Sequence, residues 1–79
     1  MTFREKYSIE KTWQGKITIV ELYHLASQSK DKKWTIEDTA HYFRVSSGLV
    51  SENLKIARMI HSNPLILNCK SRQEALTKL

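Results

Sequence analysis

Five apolar residues in the middle of the chain have the spacing of two short helices joined by a tight turn. Ala40 has the small side chain needed where two helices cross closely, and Phe43 and Val45 stand on either side of the turn. Val50 and Leu54, about one helical turn apart, form the inner side of the second helix. The residues between these positions are small or polar. This spacing predicts a packed helix pair whose second helix keeps one face in solvent.

Residues 36–55 therefore match a helix-turn-helix, a motif that places its second helix in the DNA major groove. The candidate DNA-binding residues lie in the turn and on the polar face of that helix: Arg44, Ser46, Ser47, Gly48, Ser51, Glu52, Lys55 and Arg58. We expect Ser46 to cap the helix, and Ser47 and Ser51 to reach phosphates or base edges. Lys55 and Arg58 are expected to meet phosphates and to supply affinity that does not depend on base sequence.

Arg44, Glu52 and Gly48 differ in chemistry from the other candidate residues. Arg44 stands where such turns usually have glycine in a left-handed conformation, which costs another residue on the order of 1 kcal/mol; either the turn differs or Arg44 compensates by touching phosphate. Glu52 is an acceptor for a cytosine amino group, or it is solvated, or it pairs with Lys55 or Arg58 in its own helix. Gly48, near the helix start, would let the backbone approach a phosphate closely.

The pattern also contains three residues that the motif alone does not explain. Thr39 and Asn53 stand where apolar residues are more usual. Trp34, just before the first helix, is expected to close the core beside the motif and not to stack on a nucleic-acid base.

Capping signals predict the helix boundaries. Three pairs have the spacing of a capping box, in which two side chains accept from free backbone N–H groups: Thr18 with Glu21, Thr35 with Asp38, and Ser71 with Glu74. The first box predicts a helix from 18 to about 27, with Ile19, Leu22, Tyr23 and Ala26 on one face, followed by a solvated loop over 28–33. The helix after Ser46 is expected to run to Ser62, because Pro64 disfavours helical geometry in the residue before it. Residues 64–67 are expected to form an apolar turn.

These signals predict an all-α protein, a small helical bundle of four to five helices that contains the helix-turn-helix. Residues 1–16 show no sustained period and carry four Lys and Arg side chains. They are predicted to form a basic, partly mobile N-terminal arm, anchored in part by Tyr7 and Trp13. Residues 17–79 form the single domain.

Net charge and cysteine content indicate the kind of partner and the cellular compartment. Thirteen Lys and Arg against eight Asp and Glu give a net charge of +5, which favours a polyanionic partner. Cys69 is the single cysteine, as expected in a reducing compartment, and its separations from His24, His41 and His61 match no compact zinc site. We therefore predict no metal and no cofactor.

Other classes of protein are disfavoured. No apolar run reaches the length of a membrane span, and the amino terminus lacks a signal-peptide core, so a cytoplasmic, nucleoid-associated protein without membrane partners is expected. There is no phosphate-binding loop and no paired nucleophile and base. We therefore predict neither an enzyme nor a small-molecule substrate.

The second half of the chain resembles the helix-turn-helix segment of ParB-like partition proteins and their phage or plasmid relatives. The resemblance covers residues 34–79 and rests on these features: the Trp34-Thr35 opening, Ala40, the Val45-Ser46 and Val50-Ser51 pairs, the Leu54 to Ala57 tail, Pro64 and the Ser71-Arg72 helix start. It implies that Ser46, Ser47, Ser51 and Lys55 lie on the DNA-facing helix. The family's upstream nucleotide-binding domain has no counterpart in these residues, so CTP binding and spreading along DNA are not expected of them.

Two functional hypotheses follow. The first is a double-stranded DNA-binding module that acts as a transcription regulator, a partition factor or the DNA-targeting domain of a larger protein, docking as a dimer on paired half-sites. The alternative is a protein–protein interaction domain, or a phage packaging or replication adaptor, on the same scaffold. Glu37, Asp38 and Glu52 near the motif favour this alternative, because a fold does not determine its function.

Overall fold

The chain folds into a bundle of helices. The computed structural model describes residues 1–30 and 33–78. In chain order the elements are α1 (Phe3–Ile9), α2 (Trp13–Lys30), α3 (Ile36–Phe43), α4 (Ser47–Ser62), a short 3-10 helix (Pro64–Asn68) and α5 (Arg72–Thr77). The all-α prediction is confirmed, and the described residues contain no strand. Asp31 and Lys32 of the predicted loop, and Leu79 of the predicted last helix, lie outside the described residues.

The helices of the predicted motif begin and end where their local signals indicate. Thr35 Oγ1 accepts from the backbone N–H of Asp38, and an Asp38 carboxylate oxygen accepts from the Thr35 N–H, 2.9 Å away. Ser46 Oγ accepts from the N–H of Leu49 over 3.1 Å. Helix α4 then runs to Ser62, as predicted. These boundaries are confirmed. They could be predicted because each depends on hydrogen bonds between residues close in sequence.

The third capping pair is confirmed in one of its two hydrogen bonds. Ser71 Oγ accepts from the N–H of Glu74, and α5 begins at the next residue, Arg72. The Glu74 carboxylate, however, accepts from the N–H of Lys70, one residue before the cap. Upstream, the apolar turn is a 3-10 helix with Pro64 in its first turn, where the missing N–H of proline costs nothing.

Helix α2 begins at Trp13, so the predicted start at Thr18 is wrong. Its first turn is capped by Thr12, whose Oγ1 accepts from the N–H of Gly15, while the Glu10 carboxylate accepts from the N–H of Thr12. A Cβ on Gly15 would overlap the Glu10 carboxyl group, so glycine leaves room for this carboxylate beside the helix start. The Thr18 hydroxyl instead donates to a backbone carbonyl inside the helix.

The buried face and the end of α2 also differ from prediction. The buried side chains are Ile17, Val20 and His24, whereas Leu22 is half exposed. Of the predicted face, Ile19 and Tyr23 are half-buried and pack against the core, whereas Ala26 is exposed. The helix continues to Lys30, so the expected loop does not begin at residue 28.

The predicted N-terminal arm is corrected, because much of it is the helix α1. Thr2 caps α1 by accepting from the N–H of Glu5, and Phe3 and Tyr7, one turn apart, pack against the core. Tyr7 is thus an anchor, as expected. A helix of seven residues is too short to be stable alone, so its sequence carries little local signal and tertiary packing stabilises it.

Helix α4 lies between two groups of buried side chains. One group is Ile17, Ile56, Ala57, Ile66 and Ala75, and the other is Val20, Ala40, Phe43, Val50 and Leu54. Around the second group, Tyr23 contacts four aromatic rings: Phe3, Trp34, Tyr42 and Phe43. Because α4 contributes to both groups, its inner sides are held firmly and its remaining side faces solvent. No helix in the described part of the chain is long and apolar enough to cross a membrane.

Candidate nucleic-acid interface

The connection between α3 and α4 is a tight turn centred on Arg44. Arg44 has φ 59° and ψ 44°, the left-handed conformation, and is the sole residue with positive φ among those described. Its N–H donates to the His41 carbonyl, and the N–H of Val45 donates to the Ala40 carbonyl over 3.0 Å. This hydrogen-bond pair is the Schellman motif, which ends a helix and usually has glycine at this position. The expected left-handed turn is therefore present with arginine in it.

The Arg44 side chain is without an ion-pair or hydrogen-bond partner among the described residues. It is exposed and makes no ion pair or hydrogen bond within residues 1–30 and 33–78. Nearby, the Arg4 guanidinium is occupied, because its Nε donates to the Tyr42 carbonyl at the end of α3. The backbone conformation thus fixes where the Arg44 side chain leaves the turn, and its guanidinium is available to an external anion.

The solvent-facing side of α4 carries most of the predicted DNA-binding residues. Ser47, Gly48, Lys55 and Arg58 are exposed, and Ser51 is half-buried between them. At 100° per residue they occupy one side of the helix, away from its buried residues. Neither Lys55 nor Arg58 pairs with an acidic group among the described residues. We call this side, together with Arg44, the cationic face.

The amino-terminal end of α4 is open to an anion. Ser46 Oγ is used in capping the N–H of Leu49, so Ser46 is the cap expected of it. The N–H groups of Ser47 and Gly48 precede the first intrahelical hydrogen bonds and have no acceptor in the described chain. A Cβ on Gly48 would meet nothing closer than Ser46 Oγ at 4.0 Å, so no side chain covers this end. Free N–H groups at a helix start favour phosphate.

Glu52 takes a partner that the sequence pattern did not indicate. Its carboxylate oxygen lies 3.4 Å from an Arg72 guanidinium nitrogen of α5. Neither a pair with Lys55 or Arg58 nor full solvation occurs. The two side chains are 43% and 30% exposed, so the ion pair contributes at most about 1 kcal/mol. Arg72 is twenty residues away, and no helical spacing could have linked the two.

The two unexpected polar residues are both buried. The Thr39 hydroxyl accepts from the Trp34 indole N–H over 2.8 Å and lies 2.6 Å from His24 Nδ1. Burial lowers the pKa of His24, which favours the neutral ring. Asn53 is 2% exposed, and its Oδ1 has no hydrogen-bond partner. Trp34 is therefore half-buried beside the core, as predicted, and Asn53 is left without a structural explanation.

No protein-family model, curated protein or solved structure matches this chain. The ParB-like resemblance therefore stays a prediction. The feature of the structure that bears on function is the cationic face. Within residues 1–30 and 33–78, no three His, Cys, Asp or Glu side chains are grouped to hold a metal ion.

Proposed function

We propose that this chain is a double-stranded DNA-binding module of the helix-turn-helix type, with α4 as the recognition helix. The observation that carries the proposal is the cationic face, where Arg44, Lys55 and Arg58 flank small polar residues and make no ion pair within the described part of the chain. A protein gains nothing in stability from three uncompensated cations on one surface, whereas a polyanion binds them by releasing counterions.

The dimensions of α4 suit the major groove. An α-helix with its side chains is about 10–12 Å across and the groove is about 12 Å wide, while the 16 residues of α4 give a length of about 24 Å to lie along it. The free N–H groups of Ser47 and Gly48 and the Arg44 guanidinium would meet backbone phosphate at one end. Ser47 and Ser51 would face base edges, while Lys55 and Arg58 would meet phosphates further along.

The resemblance to ParB-like proteins suggests the biological setting. We propose a regulator, a partition factor or the targeting module of a larger protein, which binds paired half-sites as a dimer. Glu52 is not assigned a base contact in this proposal, because its carboxylate is directed towards Arg72 on α5.

Salt-dependent DNA binding tests the proposal. We expect the Lys55→Ala, Arg58→Ala double variant to bind a generic duplex about tenfold more weakly at low salt, with a shallower dependence on salt. The control is Lys70→Ala with Lys78→Ala, which removes the same charge from exposed residues near the far end of α4. Equal affinity of both double variants, or affinity that does not change between low and moderate salt, would contradict docking through α4.

A groove between α2 and α4 favours a second candidate function, a protein-interaction domain that self-associates. Ile17, Ala57, Ile60 and Leu67 line the groove, and Glu21 and His61 bond to each other beside it. Leu22 and Leu25 of α2 are also more than half exposed. Exposed apolar side chains grouped on one side of a protein are typical of interaction surfaces.

An NMR titration separates the two functions. Shifts on adding duplex DNA that are confined to residues 44–58 support DNA binding. Concentration-dependent shifts along α2 without DNA, abolished by Leu22→Lys with Leu25→Lys, support self-association. Because Leu22 and Leu25 lie on α2, whereas Lys55 and Arg58 lie on the solvent-facing side of α4, each result stands independently of the other.

A further inference from the structure

A cavity of about 210 Å³ lies behind α4, between that helix and helices α1, α2 and α5. Its apolar walls are Tyr7, Trp13, Ile17 and Leu49. The Trp13 indole N–H donates to the Cys69 carbonyl over 3.2 Å, so this ring is held in place. The residues that line the cavity from α4 are about half a turn of helix away from Lys55 and Arg58. The cavity is therefore separate from the cationic face.

One buried polar group in this cavity has no partner. Asn53 lines it, is 2% exposed, and has an Oδ1 that accepts no hydrogen bond. More than nine-tenths of buried polar groups in proteins are paired, because an unpaired one costs free energy. The Oδ1 of Asn53 is itself buried, and because the terminal torsion of asparagine has broad minima, a rotation of the amide turns this oxygen towards a molecule in the cavity. The amide thus provides both a donor and an acceptor.

Two cationic side chains line the same cavity, and each has more N–H donors than the described residues use. Lys16 Nζ donates to the Tyr7 carbonyl over 2.8 Å, which uses one of its three N–H groups. Arg72 makes one long contact, to Glu52, and has five N–H donors. Both side chains are half-buried, nearer to solvent than Asn53. The cavity therefore offers two cations for an anion and one neutral amide for a polar edge.

We propose that this cavity binds a small planar carboxylate: one aromatic or heteroaromatic ring with an amide-like edge opposite its carboxyl group. The ring packs between Tyr7 and Trp13, the amide edge bonds to Asn53, and the carboxylate meets Lys16 and Arg72. A cavity of about 150 Å³ accommodates benzene, so this volume fits one substituted ring and excludes larger ligands.

The test is an NMR titration of the full chain with 2-pyridone-5-carboxylate, with 2-pyridone and benzoate as partial probes. We expect saturable shifts of the Asn53 side-chain amide, the Trp13 indole and the Leu49 backbone, with a Kd of about 1 mM or tighter. Each partial probe should bind at least about fivefold more weakly, because it lacks the carboxylate or the amide edge.

Two variants make the test specific. Asn53→Leu should bind the pyridone carboxylate only as well as benzoate, with an unchanged or higher melting temperature, because no hydrogen bond is lost. Lys16→Gln should weaken both carboxylates and leave 2-pyridone unaffected, and it keeps the proposal testable if Asn53→Leu does not fold. The exposed Asn68→Leu is the matched control and should bind like the wild type.

Two results would overturn the proposal. One is the absence of saturable shifts for all three probes up to about 10 mM, a range that would detect even millimolar binding. The other is binding that Asn53→Leu and Lys16→Gln leave intact. DNA binding through α4 is measured separately and does not depend on either result.

Discussion

Arg4 donates from Nε to the backbone carbonyl oxygen of Tyr42 over 2.8 Å, and its guanidinium lies 4.9 Å from the centre of the Tyr42 ring. The last carbonyls of a helix lack intrahelical partners, so α1 supplies a cap for the end of α3. This contact lies two residues before Arg44. It joins the segment predicted as an arm to the turn of the candidate interface.

We expect Arg4→Ala to lower the free energy of unfolding by about 1 to 2 kcal/mol, the sum of one hydrogen bond and one exposed cation–π contact. Urea denaturation measures the change. Lys11→Ala is the control, since it removes the same charge from an exposed residue with no side-chain partner among those described. If both variants lose the same stability, Arg4 does not hold α1 against α3.

Arg44→Gly is expected to change stability and DNA affinity in opposite directions. Glycine adopts the left-handed conformation without penalty, so stability should rise by up to about 1 kcal/mol. DNA affinity should fall, because a phosphate-binding cation is lost. Thermal unfolding and fluorescence anisotropy measure the two effects. Arg44→Asn, which also tolerates this conformation, should weaken DNA binding similarly; unchanged affinity in both variants would remove Arg44 from the interface.

Glu52→Gln distinguishes an ion-pairing carboxylate from a base-reading one. If Glu52 only pairs with Arg72, the variant should lose less than about 1 kcal/mol of stability and bind generic duplex DNA a few-fold more tightly, because repulsion of phosphates is removed. Binding-site selection on both proteins is the measurement. A loss of preference for cytosine at one position in the variant would show that Glu52 reads that base.

Burial of His24 predicts a loss of stability in acid. Because the pKa of His24 is lowered from its ordinary value of 6.5, the unfolded chain binds the proton more readily than the folded one. Stability is therefore fully present above pH 6.5 and falls as the pH drops towards the lowered pKa. Two other charged residues, Glu21 and Arg58, line a cavity beside His24, and both are unchanged in the His24→Gln variant. Unfolding of His24→Gln should depend less on pH between 7 and 5, and identical profiles would contradict this.

The parts of the fold predicted from sequence are those with short-range causes. Thr35 and Ser46 cap their helices by accepting from N–H groups three residues away, and Pro64 restricts the residue before it. The motif pattern marked Arg44 as the position of the turn but left open whether the turn differs from the usual one; the structure shows the left-handed conformation. The same rule failed at Thr18, because a capping pair inside a longer helix has the same spacing as one at its start.

In the candidate interface, too, some features follow from short-range sequence patterns and others do not. The exposure of Ser47, Lys55 and Arg58 follows from helical period, because the apolar residues of α4 turn these side chains outward. The pairing of Glu52 with Arg72 does not follow from it, since the two residues belong to different helices.

Sequence alone determined the helical class, the capped helices of the second half and the polar side of α4, because hydrogen bonds and periodicity act between near neighbours. Tertiary structure alone decided that Phe3–Ile9 is a packed helix, that Arg4 caps the end of α3, and that Asn53 lies unpaired in a cavity. These features depend on side chains that are far apart in sequence. Only the packing of α1, α2 and α5 around α4 brings them together.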